Sequence, residues 1–184
     1  FASVFKMTPT SHIIFIYMKK YCLDLTVNSV ERVSPKHVLL KLSCKDGLPE
    51  MLPGQFVEVR VDDSPTTFLR RPISINYVDE AKGELWLLVA TIGDGTRRLG
   101  KLVAGDNLNC VLPLGNGFTM PKDSKAKVLL VGGGVGVAPL LYFGKKIKEA
   151  GGEPTFLLGA RTAADLLELE EFRAIGRVLV TTEV

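Results

Sequence analysis

The hydrophobic pattern changes period near residue 122, and that change constrains the fold more than any other property of the chain. From Cys22 to about Leu114 the apolar residues fall in short β-branched or alternating runs. Leu23–Val33, His37–Cys44, Gln55–Val61, Leu69–Tyr77, Glu84–Thr91 and Asn107–Val111 read as six candidate strands. Asp46-Gly47, Pro53-Gly54, Lys82-Gly83 and Gly105-Asp106 supply turns between or beside them. Gly95–Leu102 reads as one short helix or turn. Many short strands with no long helix imply a Greek-key barrel or sandwich, and a six-stranded antiparallel Greek-key β-barrel is the expected fold.

Beyond the turn-rich passage Pro113–Phe118 the pattern becomes that of a parallel α/β unit. Lys127–Val131 is a buried strand, Pro139–Ala150 an amphipathic helix stopped by Gly151-Gly152, and Thr155–Leu158 the next strand. Ala163–Phe172 follows as a helix and Arg177–Val180 as a third strand. This β-α-β-α-β order is half of a nucleotide-binding fold. The expected division is therefore 1–17 an extension, 18–122 the barrel and 123–184 a partial α/β domain with a parallel sheet. Val178–Val184 reads as a strand that has just ended, and a parallel sheet normally continues from such a point. The sequence is thus expected to be part of a longer chain. Residues 1–17 are expected to be an upstream extension, poorly ordered in isolation, because Met18-Lys19-Lys20 looks like a natural start. Their deletion is expected to leave the melting temperature unchanged.

Two motifs carry chemistry. The first is Val131-Gly132-Gly133-Gly134-Val135-Gly136-Val137-Ala138-Pro139, between a strand and a helix. Gly134 permits a tight turn, and Gly136 lets a phosphate approach the main chain without a Cβ. Pro139 suits the first helical position, and the helix N-terminus behind the bend favours an anion. The spacing is GxGxxP, not the GxGxxG dinucleotide fingerprint, so a tight turn with no ligand stays open. Arg161 ends the second strand of this unit, where open α/β sheets bind ligands. It either reaches a ribose or phosphate of a dinucleotide or pairs with Asp165, four residues on.

The second motif is Leu69-Arg70-Arg71-Pro72-Ile73-Ser74-Ile75. Alternation puts Arg71 and Ile73 on one face of a strand and Pro72 and Ser74 on the other. Two adjacent arginines in an otherwise apolar strand need partners, and a pyrophosphate offers charge-assisted bonds of about 1.5–3 kcal/mol each. Ser74 can exchange a hydrogen bond with a ring nitrogen. An edge strand with exposed arginines is the other reading.

Several function classes are excluded or unsupported. Net charge is only +3, from 23 basic and 20 acidic residues, with no dense basic tract, so nucleic acid is not implied. Ile13–Tyr17 is far shorter than the roughly 20 residues a membrane helix needs, so no membrane is expected. Cys22, Cys44 and Cys110 are scattered without a CxxC pair, which fits free thiols in a reducing cytoplasm and no metal set. His12 and His37 are isolated and read as surface or capped histidines. No Ser–His arrangement or carboxylate pair is evident, so no catalytic side chain is assigned.

Leu69–Ile75, Ile92-Gly93-Asp94-Gly95-Thr96, Pro113–Phe118 and Gly132–Pro139 occur in an order that resembles the ferredoxin–NADP⁺ reductase superfamily. Within it the chain is most similar to the electron-transfer subunits of type B dihydroorotate dehydrogenase, from about Lys20 to Thr182. The resemblance implies an FAD-binding barrel followed by an NAD-binding domain. It implies that Arg71, Pro72, Ile73 and Ser74 hold FAD, with Arg71 toward its phosphates and Ser74 near the flavin ring. Main-chain groups of Val89, Ala90 and Thr91 would line the flavin, and Gly95 and Thr96 would bind its pyrophosphate. Gly133, Gly134 and Gly136 would face the NAD pyrophosphate. The family carries a C-terminal cysteine cluster for a [2Fe–2S] centre, whose ligands are absent from this sequence. The implied activity passes electrons between NAD⁺ and an FMN-containing dihydroorotate dehydrogenase catalytic subunit, in a cytoplasmic heterotetramer of pyrimidine (UMP) biosynthesis. The alternatives are an FAD/NAD(P)H reductase subunit of the sulfite reductase or ferredoxin:NADP⁺ oxidoreductase type, or a non-enzymatic nucleotide-binding module. NAD versus NADP is not legible in the sequence.

Overall fold

The computed structural model describes residues 19–123 and 125–184; the expectations for residues 1–17 and for His12 lie outside the described residues. Seven strands form one curled antiparallel sheet: β1 (Tyr21–Ser34), β2 (His37–Ser43), β3 (Phe56–Val59), β4 (Arg71–Ser74), β5 (Tyr77–Asp79), β6 (Glu84–Ala90) and β7 (Asn107–Leu114). Their order is β4-β3-β7-β1-β2-β6-β5. The 14-residue β1 makes the curl possible. Its first part pairs with β7 and its second with β2, and register irregularities fall at Val27/Ser29 and Arg32/Ser34. Inward residues alternate, so Leu25, Leu40, Leu42, Val57, Val59, Leu85, Leu87 and Leu112 close a dry core.

The seventh strand departs from the six expected. The run Arg71–Asp79 is one stretch of sequence but two strands, because its amides turn to different partners midway. Ile75 N–H donates to Gln55 O, beside β3, while Asn76 N–H donates to Trp86 O on β6. Pro72 lies on edge strand β4, opposite Glu58, where a missing N–H is tolerated. The helix expected over Gly95–Leu102 is α1 (Asp94–Leu99).

From β7 the chain crosses to β8 (Lys127–Gly133), then α2 (Ala138–Glu149), β9 (Glu153–Ala160), α3 (Leu169–Ile175) and β10 (Arg177–Thr182). The three strands form a parallel sheet in the order β10-β9-β8. A 3₁₀ turn over Gly134–Val137 precedes α2, which starts one residue earlier than expected and places Pro139 second. Pro139 still forfeits nothing there, since the first helical amides have no intrahelical acceptor. α2 lies so close to β9 that a Cβ on Gly144 would stand 2.3 Å from Phe156 Cζ. The helix expected over Ala163–Phe172 divides into a 3₁₀ turn, Ala163–Asp165, and α3. Glu168 separates them with left-handed backbone, φ 53° and ψ 34°.

The barrel-like sheet and the α/β part share their packing. Leu39 and Leu88, on the outer face of β2 and β6, join Leu130, Val137, Leu141, Phe156 and Phe172 in one apolar cluster. In the other direction, Tyr142 of α2 is buried among core residues of the curled sheet and its hydroxyl donates to Met51 O at 3.0 Å. Burial pushes that phenol up to about 12, so it stays a neutral donor.

Candidate functional site

The two arginines of the second motif differ in what they touch. Arg70 is spent on the protein: its guanidinium donates to Glu58 O, Asn109 O and Asn109 Oδ1, tying β3 to β7. Arg71 bonds only the neighbouring carbonyl of Arg70 and pairs with no carboxylate among the described residues. Its side chain instead lines an open pocket of about 360 Å³ with Thr66, Thr67, Phe68, Leu69 and Gly95. Gly95 lies hard against this arginine, since a Cβ there would meet Arg71 Cδ at 3.2 Å. Asp94 is also on the wall, with Oδ1 held by Arg97 and Oδ2 near Thr66 Oγ1. Thr96 is turned inward, its hydroxyl exchanging hydrogen bonds with Gly93 N and O.

Further along β4, Ile73 is buried in the core, whereas Pro72 is exposed. Ser74 is half-buried and its hydroxyl makes no hydrogen bond with any described residue. Val89 points into the core and pairs with Val38. Ala90 is half-buried opposite His37, and Thr91 donates through both N–H and Oγ1 to Lys36 O. Arg71, Gly95 and the threonine loop therefore meet in one place, while Val89, Ala90 and Thr91 run along β6 toward the β1–β2 hairpin.

The first motif forms a second opening, a cleft of about 610 Å³ at the carboxyl ends of β8, β9 and β10. Gly133, Gly134, Gly159, Ala160, Arg161 and Thr182 line it. Gly134 holds φ +52°, which only glycine adopts without strain, and a Cβ at Gly134 or Gly136 would meet nothing within 4 Å. The bend is thus an open, main-chain-lined concavity at the start of α2, the arrangement that accepts an anionic group. Arg161 is exposed and has no carboxylate partner among the described residues; Asp165 takes its hydrogen bond from Thr162 Oγ1 at 2.9 Å.

Lys36 and His37 also line this cleft, reaching it from the end of the β1–β2 hairpin. Sequence reasoning treated His37 as a surface or capped residue, and it is capped: Ser34 Oγ lies 2.8 Å from Nδ1. Burial lowers the pKa of the imidazole, with Asp165 opposing and Lys36 assisting. No local pattern marks these two residues, because only the packing of the hairpin against the parallel sheet brings them to the cleft.

The residues present fit two nucleotide groups. A half-buried hydroxyl with no hydrogen bond and a guanidinium with no carboxylate partner among the described residues share the β4 strand, and an uncovered glycine bend opens beside Arg161. A metal is a different matter: among the described residues no group of three or more His, Cys, Asp or Glu side chains converges.

No family model matches the chain. The dihydroorotate dehydrogenase B (NAD(+)) electron transfer subunit of Streptococcus thermophilus is 40% identical over 162 residues, 87% of this chain and 62% of that protein. The corresponding subunit of Shouchella clausii is 40% identical over 131 residues, 71% of this chain and 51% of that protein. The chain therefore spans between half and two thirds of the length of these relatives. Among solved structures, the NADH-dependent reduced ferredoxin-NADP oxidoreductase superposes with a TM-score of 0.76 at 30% identity, covering 86% of this chain and 56% of the other. An Amycolatopsis cytochrome P450 reductase gives a TM-score of 0.75 at 27% identity over 90% of this chain and 53% of its own. Over most of its length the chain is similar to the electron-transfer subunits of dihydroorotate dehydrogenase B, and it has a ferredoxin–NADP⁺ reductase-like fold.

Proposed function

We propose that the chain is the flavin- and nicotinamide-binding part of an electron-transfer subunit that links dihydroorotate oxidation to NAD⁺ in pyrimidine (UMP) biosynthesis. The observation that carries this reading is on β4: among the described residues Arg71 has no carboxylate partner and the Ser74 hydroxyl no hydrogen bond, in a chain 40% identical to such subunits. In this reading the curled seven-stranded sheet serves as the FAD-binding barrel, residues 18–122, and residues 123–184 as the NAD-binding part. Arg71 and the Gly95 amide, with Thr96 fixing the turn, face the flavin pyrophosphate. Pro72 and Ile73 set the strand, and Ser74 offers its hydroxyl to the flavin ring. Val89, Ala90 and Thr91 contribute main chain along the ring's edge. Gly133, Gly134 and Gly136 receive the NAD pyrophosphate, and Arg161 the ribose or phosphate next to it.

Bound FAD and NAD supply two-electron transfer between their own rings, so the protein needs no acid, base or nucleophile of its own. The chain's task is to hold two planar groups at reacting distance and to exclude water. Cys22 is exposed, Cys44 is half-buried and Cys110 is buried, and the three do not converge. A [2Fe–2S] centre and an FMN-containing catalytic subunit in a heterotetramer belong to the proposed full-length assembly. A cytoplasmic location fits the free thiols. No helix among the described residues is long and apolar enough to cross a membrane.

The test is anaerobic mixing of the FAD-loaded chain with NADH or NADPH while the flavin absorbance is recorded. The reading expects bleaching by NADH. Full-strength bleaching by NADPH alone would favour a ferredoxin:NADP⁺ or sulfite reductase-type subunit. A chain that takes up no flavin would favour a non-enzymatic nucleotide-binding module.

A further inference from the structure

Asn76 stands two residues after Ser74 and is fully buried. Its side-chain amide donates twice, to Ala138 O at 3.1 Å and to Glu168 Oε2 at 2.9 Å. Its main chain is engaged on both sides as well, donating to Trp86 O and accepting from Tyr142 N–H at 3.1 Å. Ala138 is the first residue of α2, two beyond Gly136. One asparagine therefore joins the strand run of the flavin site to the helix that begins where the glycine bend ends. Glu168 completes the junction from the left-handed kink before α3.

The junction is poorly furnished for a charge. Glu168 is 8% exposed, and its buried Oε1 has no hydrogen-bond partner among the described residues. The charged groups acting on it are Glu171 on α3, Glu31 from β1 and Lys41 from β2. Lys41 is itself shared, 3.7 Å from Glu31 and over the Trp86 ring. One amide donor and one shared cation, against two further carboxylates, favour the neutral acid. Burial, aided by Glu171 and Glu31 and opposed by the Asn76 hydrogen bond, pushes this carboxyl up to about 7 from 4.5.

We propose that Asn76 and Glu168 are positioning residues: the pair latches α2 and α3 to the β4–β5 run while Glu168 holds a proton and loosens them when it ionises. The spacing between the Arg71–Ser74 strand and the glycine bend then follows pH. Its consequence for transfer rests on the proposed nucleotide function, but the latch is a property of the fold alone.

The test follows hydrogen exchange of the Tyr142 amide, corrected for intrinsic base catalysis, from about pH 5 to about pH 9. In the wild type, exchange should accelerate by about tenfold or more as pH rises from about 5 to about 7 and level off above neutrality. Glu168→Gln, which keeps the shape without the charge, should remove that step and stay slow throughout. Asn76→Ala, if folded, should exchange fast at every pH. A flat wild-type profile, or a step that survives in Glu168→Gln, overturns the proposal. A chain that shows the step and binds no flavin sinks the proposed function and supports the latch; one that binds flavin without the step does the reverse.

Discussion

Arg70 and Arg71 are adjacent and chemically identical, yet one ties two strands together while the other bonds only its neighbour's carbonyl among the described residues. The difference lies in Asn109, which supplies two acceptors to Arg70 from 39 residues away in sequence. Arg70→Ala leaves Glu58 O and Asn109 without those bonds, and the expected cost is about 1–3 kcal/mol, read as a lower melting temperature. Cys110 makes the same point about burial. Its thiol is pushed up to about 12 by desolvation, so alkylation at about pH 8 should mark exposed Cys22 and spare Cys110 until the chain unfolds, as read by mass spectrometry. Alternation along the strand leaves both arginines in need of a partner, and no local signal separates them; only the family resemblance singles out Arg71.

At the scale of elements, most strands were legible because alternation is a local property. β2, β6 and β8 fall almost where the pattern puts them. What the pattern missed is decided by distant partners. Gln55 and Trp86 divide Arg71–Asp79 into two strands, and the inward turn of Glu168 to Asn76 divides the Ala163–Phe172 helix. Lys36 and His37 reach the cleft through hairpin packing that no run of residues encodes. The contact between α2 and β9 makes a prediction of its own. Gly144→Ala drives a methyl group into the Phe156 ring, and thermal melting should show a loss of roughly 1–3 kcal/mol from overpacking.

Over the whole molecule, the buried carboxyl at the junction makes stability depend on pH. A carboxyl whose folded value is raised contributes its stability fully below the unfolded value of 4.5, and loses it as pH rises toward the folded value of about 7. The loss amounts to about 3 kcal/mol and is complete above neutrality. Urea unfolding across that window should therefore show wild-type stability declining relative to Glu168→Gln, with the gap constant at higher pH. The same junction links the strand that carries Arg71 and Ser74 to the open glycine bend, and the proposed flavin role rests on that strand. It is tested most directly by equilibrium titration of FAD into the wild type, Arg71→Ala and Arg161→Ala, followed by flavin fluorescence. The account predicts saturable binding of one FAD by the wild type, roughly ten- to hundredfold weaker binding by Arg71→Ala, and unchanged binding by Arg161→Ala. A wild type that leaves flavin fluorescence unaltered, or an Arg71→Ala variant that binds as tightly as the wild type, would contradict it.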